Sequence, residues 1–499
     1  MENLIFGIPT VLLSAITFLF AWKYAFKEQY RLAVLLTIIG GLALRLFTSA
    51  DFYLHEWDEE YHALVAKNMI DQPLKPMLYE DPMLDYNFKD WTANHIWVHK
   101  QPVPLWTMAA SMWLFGVNEI ALRLPSIIFT SIGIWLVFVV GSYFFDRRSA
   151  YIAALLFAIN GLIIELAAGR VATDHIDVFF LFFVLLAVYF SVVFVQRQKT
   201  VFNVLAGISI GAAILSKWLP ALIVLPIWYL VVSDSRNFSL KEMAWQFGLL
   251  VGTCVLIALP WQIYIHQAFP AEAQWESAMN LKHLTETLDG RSEPFYYFLT
   301  QIRINYGELI YLPLLWFMWR YFKNWRDKKA LALLLWFVVP LVFFSIAETK
   351  MQGYLLFTSP ALFLITGAFW TMLKDYRRQH KPRWLYTLLL VAMIALPVRY
   401  AIERIKPFQQ IDRSPEWVAD LKELDAQNIE NGVLFNYHRP IAAMFYTDLT
   451  VYYGIPHKAI IEDLNRKGYR VLVNQSGDLP AKVRSLEGVT FVGLSMPVQ

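Results

Sequence analysis

Hydrophobic positions in this chain come in long blocks rather than in the short alternations of a soluble domain. Runs of about 18 or more apolar residues, enough to cross a hydrocarbon core, recur as far as residue 400. Twelve helical spans fit the pattern, at about 3–22, 31–50, 121–145, 150–168, 174–195, 201–216, 218–233, 245–265, 298–320, 329–347, 352–373 and 383–400. The sixth and seventh are short and meet at Ser216-Lys217-Trp218. The long loop 51–120 has its own pattern. Tyr61, Leu64, Val65 and Met69 recur at helical spacing, which predicts an amphipathic helix suited to a membrane surface. The stretch PVPLWTMAASMWLFG, 102–116, is apolar but short for a span, and reads as a re-entrant or interfacial helix. After the last span the period changes. GVLFNY, TVYY, YRVLVN and VTFVGL read as strands, and SPEWVADLKELDAQ, RPIAAMFYT and HKAIIEDLNRKG as helices, an alternation that predicts a small α/β domain. The expected organisation is a transmembrane domain over 1–404, carrying the loop 51–120 on its outer face, followed by an α/β domain over 405–499.

Composition supports an α-helical polytopic membrane protein. Of 499 residues 57% are hydrophobic and only 17% charged, where soluble domains carry about a quarter charged residues. Mean hydropathy is +0.43. A net charge of +3 gives no reason to expect nucleic acid as a partner. The single cysteine, Cys254, precludes an intrachain disulfide and is uninformative about redox compartment. The N-terminal segment lacks a basic n-region and a clear cleavage site, and reads as a retained helix. The basic residues set the orientation. Clusters such as Lys23/Lys27/Arg31, Arg147/Arg148 and Arg320/Lys323/Arg326/Lys328/Lys329 all fall on one side of a twelve-span arrangement, the cytoplasmic side by the positive-inside rule. The loop 51–120, the loop 266–297, the turns near Gly169 and Thr349 and the tail then face outward. The expected location is the plasma (inner) membrane, multi-pass, with the α/β domain extracytoplasmic.

Four polar turns fall on that outer side. HEWDEEYHAL, 55–64, carries Asp58, Glu59 and Glu60, either as a helix start that favours acids or as chemistry. WVHKQPVPLW carries His99 and Lys100, either as a snorkelling lysine among interfacial tryptophans or as a phosphate contact. GRVATDHID carries Arg170, Asp174 and Asp177, either as a structural ion pair or as an anion site. ETKMQGY carries Lys350 and Tyr354, with a lipid-headgroup contact as the alternative reading for the lysine. Carboxylates suit deprotonation of an alcohol or amine, and cations suit a phosphate near the headgroup plane. There is no acidic D-x-D motif and no glycine-rich phosphate loop, so a soluble nucleotide-sugar is a poor fit and a phosphate on a lipid a better one. A divalent metal ion would have His99, His266 and Glu59 as candidate ligands, though no regular spacing singles them out.

These residues resemble the GT-C membrane glycosyltransferases of the protein O-mannosyltransferase and lipid A aminoarabinose transferase type. The strings that carry the resemblance are WDEEYHALVAKNMI, HKQPVPLW, LFGVNEIALRLPSIIF, GRVATDHIDVFFLFF and KMQGYLLFTSPALFLITG. It covers about 50–195 best and is looser to 373. The resemblance implies transfer of a sugar from a polyprenyl-phosphate donor to a lipid A, protein or glycan acceptor by inverting displacement. It implies Asp58 as the catalytic acid/base group, Glu59 as its partner and Asp174 as the second acid. Lys100, Arg170, Lys350, Tyr354 and His99 would bind the lipid phosphate or substrate. In the aminoarabinose branch the position before the lysine is often Glu; here it is His99, which removes one familiar metal ligand. The alternative activity is a flippase or transporter of lipid-linked sugars. The absence of an obvious inverted repeat, and the clustering of polar residues at the outer ends of the spans, count against it.

Overall fold

The computed structural model describes residues 2–171, 174–288, 290, 292–475, 479, 483 and 487–495; the side chains of Glu2 and Asp174 lie outside that description. The chain divides into two compact units. Unit 1 comprises Met1–Ser49, Lys100–Pro104 and Arg123–Gln410. Unit 2 comprises Ala50–His99, Leu105–Leu122 and Ile411–Gln499. Most of the outer loop therefore groups with the tail, whereas the sequence pattern had placed it with the spans.

Unit 1 is helical. Among the described residues, nine helices of the chain are long and apolar enough to cross a membrane, and they coincide with nine of the twelve expected spans. The other three expected spans are interrupted. The span at 150–168 is a pair, Arg147–Ala158 and Gly161–Ala167, bent by 49°. Asn160 makes the corner: its Oδ1 accepts from the N–H of Ile163 at 3.0 Å and its Nδ2 donates to the carbonyl of Asn305 at 2.8 Å. The span at 218–233 opens with a 3-10 turn, Leu219–Ile223, before the helix Val224–Ser235. The span at 298–320 is split into Tyr297–Tyr306 and Tyr311–Lys323, with Gly307 at φ +97° between them. Irregular backbone at such depth requires protein partners for its freed polar groups, and the Asn160–Asn305 bond is one.

Helix contacts follow from small and polar residues. Gly207 and Gly211, four apart on the helix Thr200–Lys217, face the helix Leu240–Ala268. A Cβ at Gly207 would stand 2.7 Å from the Leu250 carbonyl oxygen, so the close approach requires glycine. Arg45 is fully buried in the helix Tyr30–Thr48. Its guanidinium donates to Thr130 Oγ1 at 2.8 Å and to the carbonyls of Gly41 and Ala158 at 2.9 and 3.1 Å, which makes a buried charge tolerable among apolar helices.

Unit 2 holds all four expected strands and all three expected helices of the tail. Strands β1 (Gly432–Phe435), β2 (Thr450–Val451), β3 (Arg470–Asn474) and β4 (Val489–Val492) form one parallel sheet of order β2-β1-β3-β4. β1 and β3 read as continuous apolar runs because a parallel sheet is covered on both faces. Val433, Phe435, Val471 and Val473 pack with Ile461 and Leu464 of the helix Lys458–Arg466. Tyr452, just past β2, accepts hydrogen bonds on its hydroxyl from the N–H groups of Met83 and Leu84 at 2.9 and 3.1 Å, tying the outer loop to the sheet.

The expected helix after the acidic triplet runs Asp58–Asn68. Its apolar face is buried, and so is most of its polar face, including Asp58, Glu59, Glu60 and His62. It packs on the helix Pro440–Tyr446 of the tail. Lys67 Nζ donates to the carbonyls of Met444, Phe445 and Thr447 at 3.0, 3.2 and 3.1 Å, capping the C-terminus of that short helix. Lys67→Met is expected to cost about 1–2 kcal/mol of local stability. Amide exchange over 440–447 should accelerate by about tenfold while the β3 amides stay protected.

Candidate active site

The first set of polar groups lies in unit 2 around the start of the Asp58–Asn68 helix. Trp57, immediately before it, has φ 69° and ψ −124°, a conformation that a large side chain pays for and that clusters at functional sites. Asp58 follows as the first helical residue, 8% exposed. Asp51, Glu59 and Glu60 each have a basic counterpart. His55 bridges two buried carboxylates: Nδ1 lies 2.6 Å from Glu59 Oε2, and Nε2 lies 3.1 Å from Asp51 Oδ2. The backbone N–H of His55 donates to the same Glu59 oxygen at 2.8 Å. Arg413 donates to Asp51 Oδ1 at 2.9 Å. Glu60 pairs with Arg439, which also donates to the Leu54 carbonyl at 2.9 Å. Within the triplet, Glu60 fastens the helix to the tail, Glu59 fastens the turn before it, and Asp58 opens the helix.

One turn after Asp58, Tyr61 sits in an aromatic group with Trp91 and Trp97, at ring distances of 4.9 and 6.1 Å. His99 stacks on Trp91 at 4.8 Å and meets Trp97 edge-on at 5.5 Å. Burial pushes the Tyr61 hydroxyl up to about 12, with the charges of Asp90 and Asp58 adding in the same direction. Tyr61 is therefore a neutral hydroxyl at physiological pH. Tyr61 and His99, from separate stretches of sequence, thus share Trp91 and Trp97 as neighbours.

The second set lies in unit 1. Lys217 forms an ion pair with Asp177, whose side chain is almost fully buried, and its ammonium lies 4.8 Å from the centre of the Tyr354 ring. The next residue, Trp218, has φ 74° and ψ −159°, a second strained tryptophan beside a charged residue. Tyr354 belongs to the 3-10 turn Gln352–Thr358, and Gln352 donates to Asn305 Oδ1 at 2.7 Å. Lys350 is buried and donates to the carbonyl of Ala347 at 2.6 Å. Arg170 donates to the Ile405 carbonyl at 3.2 Å. Lys100, half-buried, precedes the helix Pro102–Phe115, and its neighbour Gln101 accepts from Gln262 Nε2 at 2.8 Å.

Asp58, Glu59 and His99 thus lie in unit 2, and Lys100, Arg170, Lys350 and Tyr354 in unit 1. Asp174 opens the helix Asp174–Arg197, and its side chain lies outside the described residues. Among the described residues no group of three or more His, Cys, Asp or Glu is arranged to hold a metal ion. Of the three candidate ligands, Glu59 is engaged by His55 and His99 stacks on Trp91. His266 donates from Nδ1 to the Gln262 carbonyl at 2.8 Å, and Ser277 Oγ lies 3.4 Å from its Nε2. Reading the sequence missed Asp51, Arg413 and Arg439, and it treated Lys217 only as a boundary. The signal for Lys217 was present: a lone cation between two short apolar spans, on the side where cations are scarce.

Comparison with known proteins agrees with this architecture. The family model for dolichyl-phosphate-mannose-protein mannosyltransferases matches residues 99–264. The undecaprenyl phosphate-alpha-4-amino-4-deoxy-L-arabinose arabinosyl transferase of Yersinia pestis is 27% identical over 300 residues, covering 56% of this chain and 52% of that protein. The protein of the same name from Pseudomonas savastanoi pv. phaseolicola is 25% identical over 285 residues, covering 54% and 51%. The chain thus spans about half the length of the curated relatives it matches. In structure it is similar to ArnT from Cupriavidus metallidurans bound to undecaprenyl phosphate, with a TM-score of 0.59, 16% identity, and coverage of 92% of this chain and 89% of that one. It is also similar to the apo oligosaccharyltransferase of Archaeoglobus fulgidus, with a TM-score of 0.55, 16% identity, and coverage of 89% and 69%. The fold is that of the GT-C membrane glycosyltransferases, and the resemblance read from the motifs holds.

Proposed function

We propose that this multi-pass membrane protein is a glycosyltransferase that moves a sugar, hexose or pentose, from a polyprenyl-phosphate carrier to an acceptor on the extracytoplasmic side of the inner membrane. The observation that carries the reading is the likeness, over most of the chain, to a fold that in one relative is seen bound to undecaprenyl phosphate. One buried and three half-buried cations near the ends of apolar helices, Lys350 and then Lys100, Arg170 and Lys217, support it. Asp58 takes the proton from an acceptor hydroxyl or amine as that atom attacks the anomeric carbon. The bond from that carbon to the phosphate oxygen breaks with inversion, and the lipid phosphate leaves with the negative charge. Lys100, Arg170, Lys350 and Lys217 stabilise that growing charge, and such stabilisation counts most in a site shielded from water. Tyr354, beneath the Lys217 ammonium, holds it in place. Glu59, bonded to His55, fixes the turn that presents Asp58. His99 lines the substrate side of the aromatic group, and Asp174 orients the acceptor. A lipid, a protein or a glycan would each serve as acceptor.

The test uses purified, reconstituted protein and a polyprenyl-phosphate sugar labelled in the sugar. Label should leave the lipid fraction for an acceptor in a crude envelope extract. A flippase would leave all label on the lipid and only change its leaflet, and that result would overturn the proposal.

A further inference from the structure

Three irregular points in the helices of unit 1 converge on one residue, Asn305. It lies in the last turn of the helix Tyr297–Tyr306, where backbone carbonyls lack an intrahelical partner. Its carbonyl accepts at 2.8 Å from Nδ2 of Asn160, the corner of the bent pair. Its side-chain oxygen has two lone pairs and meets two donors, Gln352 Nε2 at 2.7 Å and Arg404 Nη2 at 3.3 Å. Asn305 is only 7% exposed. Its bonds are made largely out of water, where a donor left without its acceptor is costly. A polar junction at such depth among apolar helices more often serves function than packing alone.

The two donors lead to two different cations. Gln352 opens the 3-10 turn Gln352–Thr358, and that turn carries Tyr354 against the Lys217 ammonium. Arg404, in the last turn of the helix Arg383–Ile405, pairs with Glu165. The Glu165 carbonyl accepts from the N–H of Arg170 at 3.2 Å, and the Arg170 guanidinium donates at 3.2 Å to the carbonyl of Ile405, next to Arg404. Arg170 is thus held, backbone and side chain, by the two segments that the Glu165–Arg404 pair joins. From one amide oxygen, then, one arm runs to Lys217 and the other to Arg170. We infer that Asn305 is a positioning residue, which fixes the spacing of Arg170 and Lys217 so that both cations meet the same lipid phosphate. The inference rests on the reading of these cations as phosphate contacts. Opening either arm lets one cation drift from the place the other sets, and a displacement of about 1 Å is enough to weaken a preorganised contact.

The probe is undecaprenyl phosphate, titrated against the full chain in lipid nanodiscs and followed by tryptophan fluorescence, with Kd and the number of sites fitted separately. Asn305→Leu should weaken Kd about tenfold. Gln352→Leu, which opens the Lys217 arm from its other end, should weaken it several-fold. Both remove the same bond, so the double variant should bind no worse than Asn305→Leu alone. Thr130→Val, which takes a buried hydrogen bond from Arg45 elsewhere in unit 1, is the stability control and should keep the original Kd. A loss of sites at unchanged Kd in Asn305→Leu would make Asn305 a structural brace and overturn the inference. Additive losses in the double variant, or an equal loss of affinity in Thr130→Val, would overturn it too. If the unsubstituted chain does not bind undecaprenyl phosphate, the phosphate reading itself fails and the inference falls with it.

Discussion

Replacing Asp58 by asparagine is expected to lower the rate of sugar transfer by about 10²–10⁴-fold, the usual contribution of a positioned general base. The substitution is close to isosteric, and in the first helical turn it gives up only the modest gain of a negative charge, about 0.3–1 kcal/mol. The ion pairs Asp51–Arg413, Glu59–His55 and Glu60–Arg439 are untouched by the substitution. With those pairs kept and the side chain's size unchanged, the variant should still be produced and fold. What it lacks is a carboxylate able to take the acceptor's proton. Single-turnover transfer from a labelled polyprenyl-phosphate sugar, measured beside a thermal melt, separates the two effects. Transfer at the original rate would remove Asp58 from the chemistry, whatever its place in the fold.

Lys217 yields the second large effect. Asp177 is nearly fully buried and Lys217 only partly exposed, so Lys217→Met leaves a carboxylate without its ammonium in an apolar setting. Breaking such a pair from one side costs about 3–5 kcal/mol. Adding Asp177→Asn removes that buried charge, and much of the lost stability should return. Transfer should not return with it. If Lys217 stabilises the departing phosphate, the double variant remains about 10²–10³-fold slow, the size expected on losing one preorganised electrostatic contact. Recovery of both stability and transfer would make the pair a structural bracket with no part in the reaction.

The membrane architecture was legible because hydropathy is a local property: a helix that meets lipid must be apolar along its own length. The interruptions were not legible in the same way. Asn160 turns the chain because its side-chain amide finds the carbonyl of Asn305, and that carbonyl lies outside any local window. The four strands of the tail were read correctly from short apolar runs bounded by turn residues. Their order, and the hydroxyl of Tyr452 that ties the outer loop to them, depend on contacts between distant segments.

The candidate site shows the same division. By itself the sequence determined which residues carry charge at the ends of apolar spans, and a resemblance in their order attached expected roles to Asp58, Glu59, Lys100 and Lys350. Only the tertiary structure paired Asp51 with Arg413 and Glu60 with Arg439, because those arginines are more than 350 positions away in the chain. Only the tertiary structure joined Lys217 to Asp177 and Tyr354. A charge is a property of a residue and can be read where it stands. Its pairing, burial and orientation are properties of the fold, set by whatever other segments bring within a few ångströms, and they decide what the charge can do.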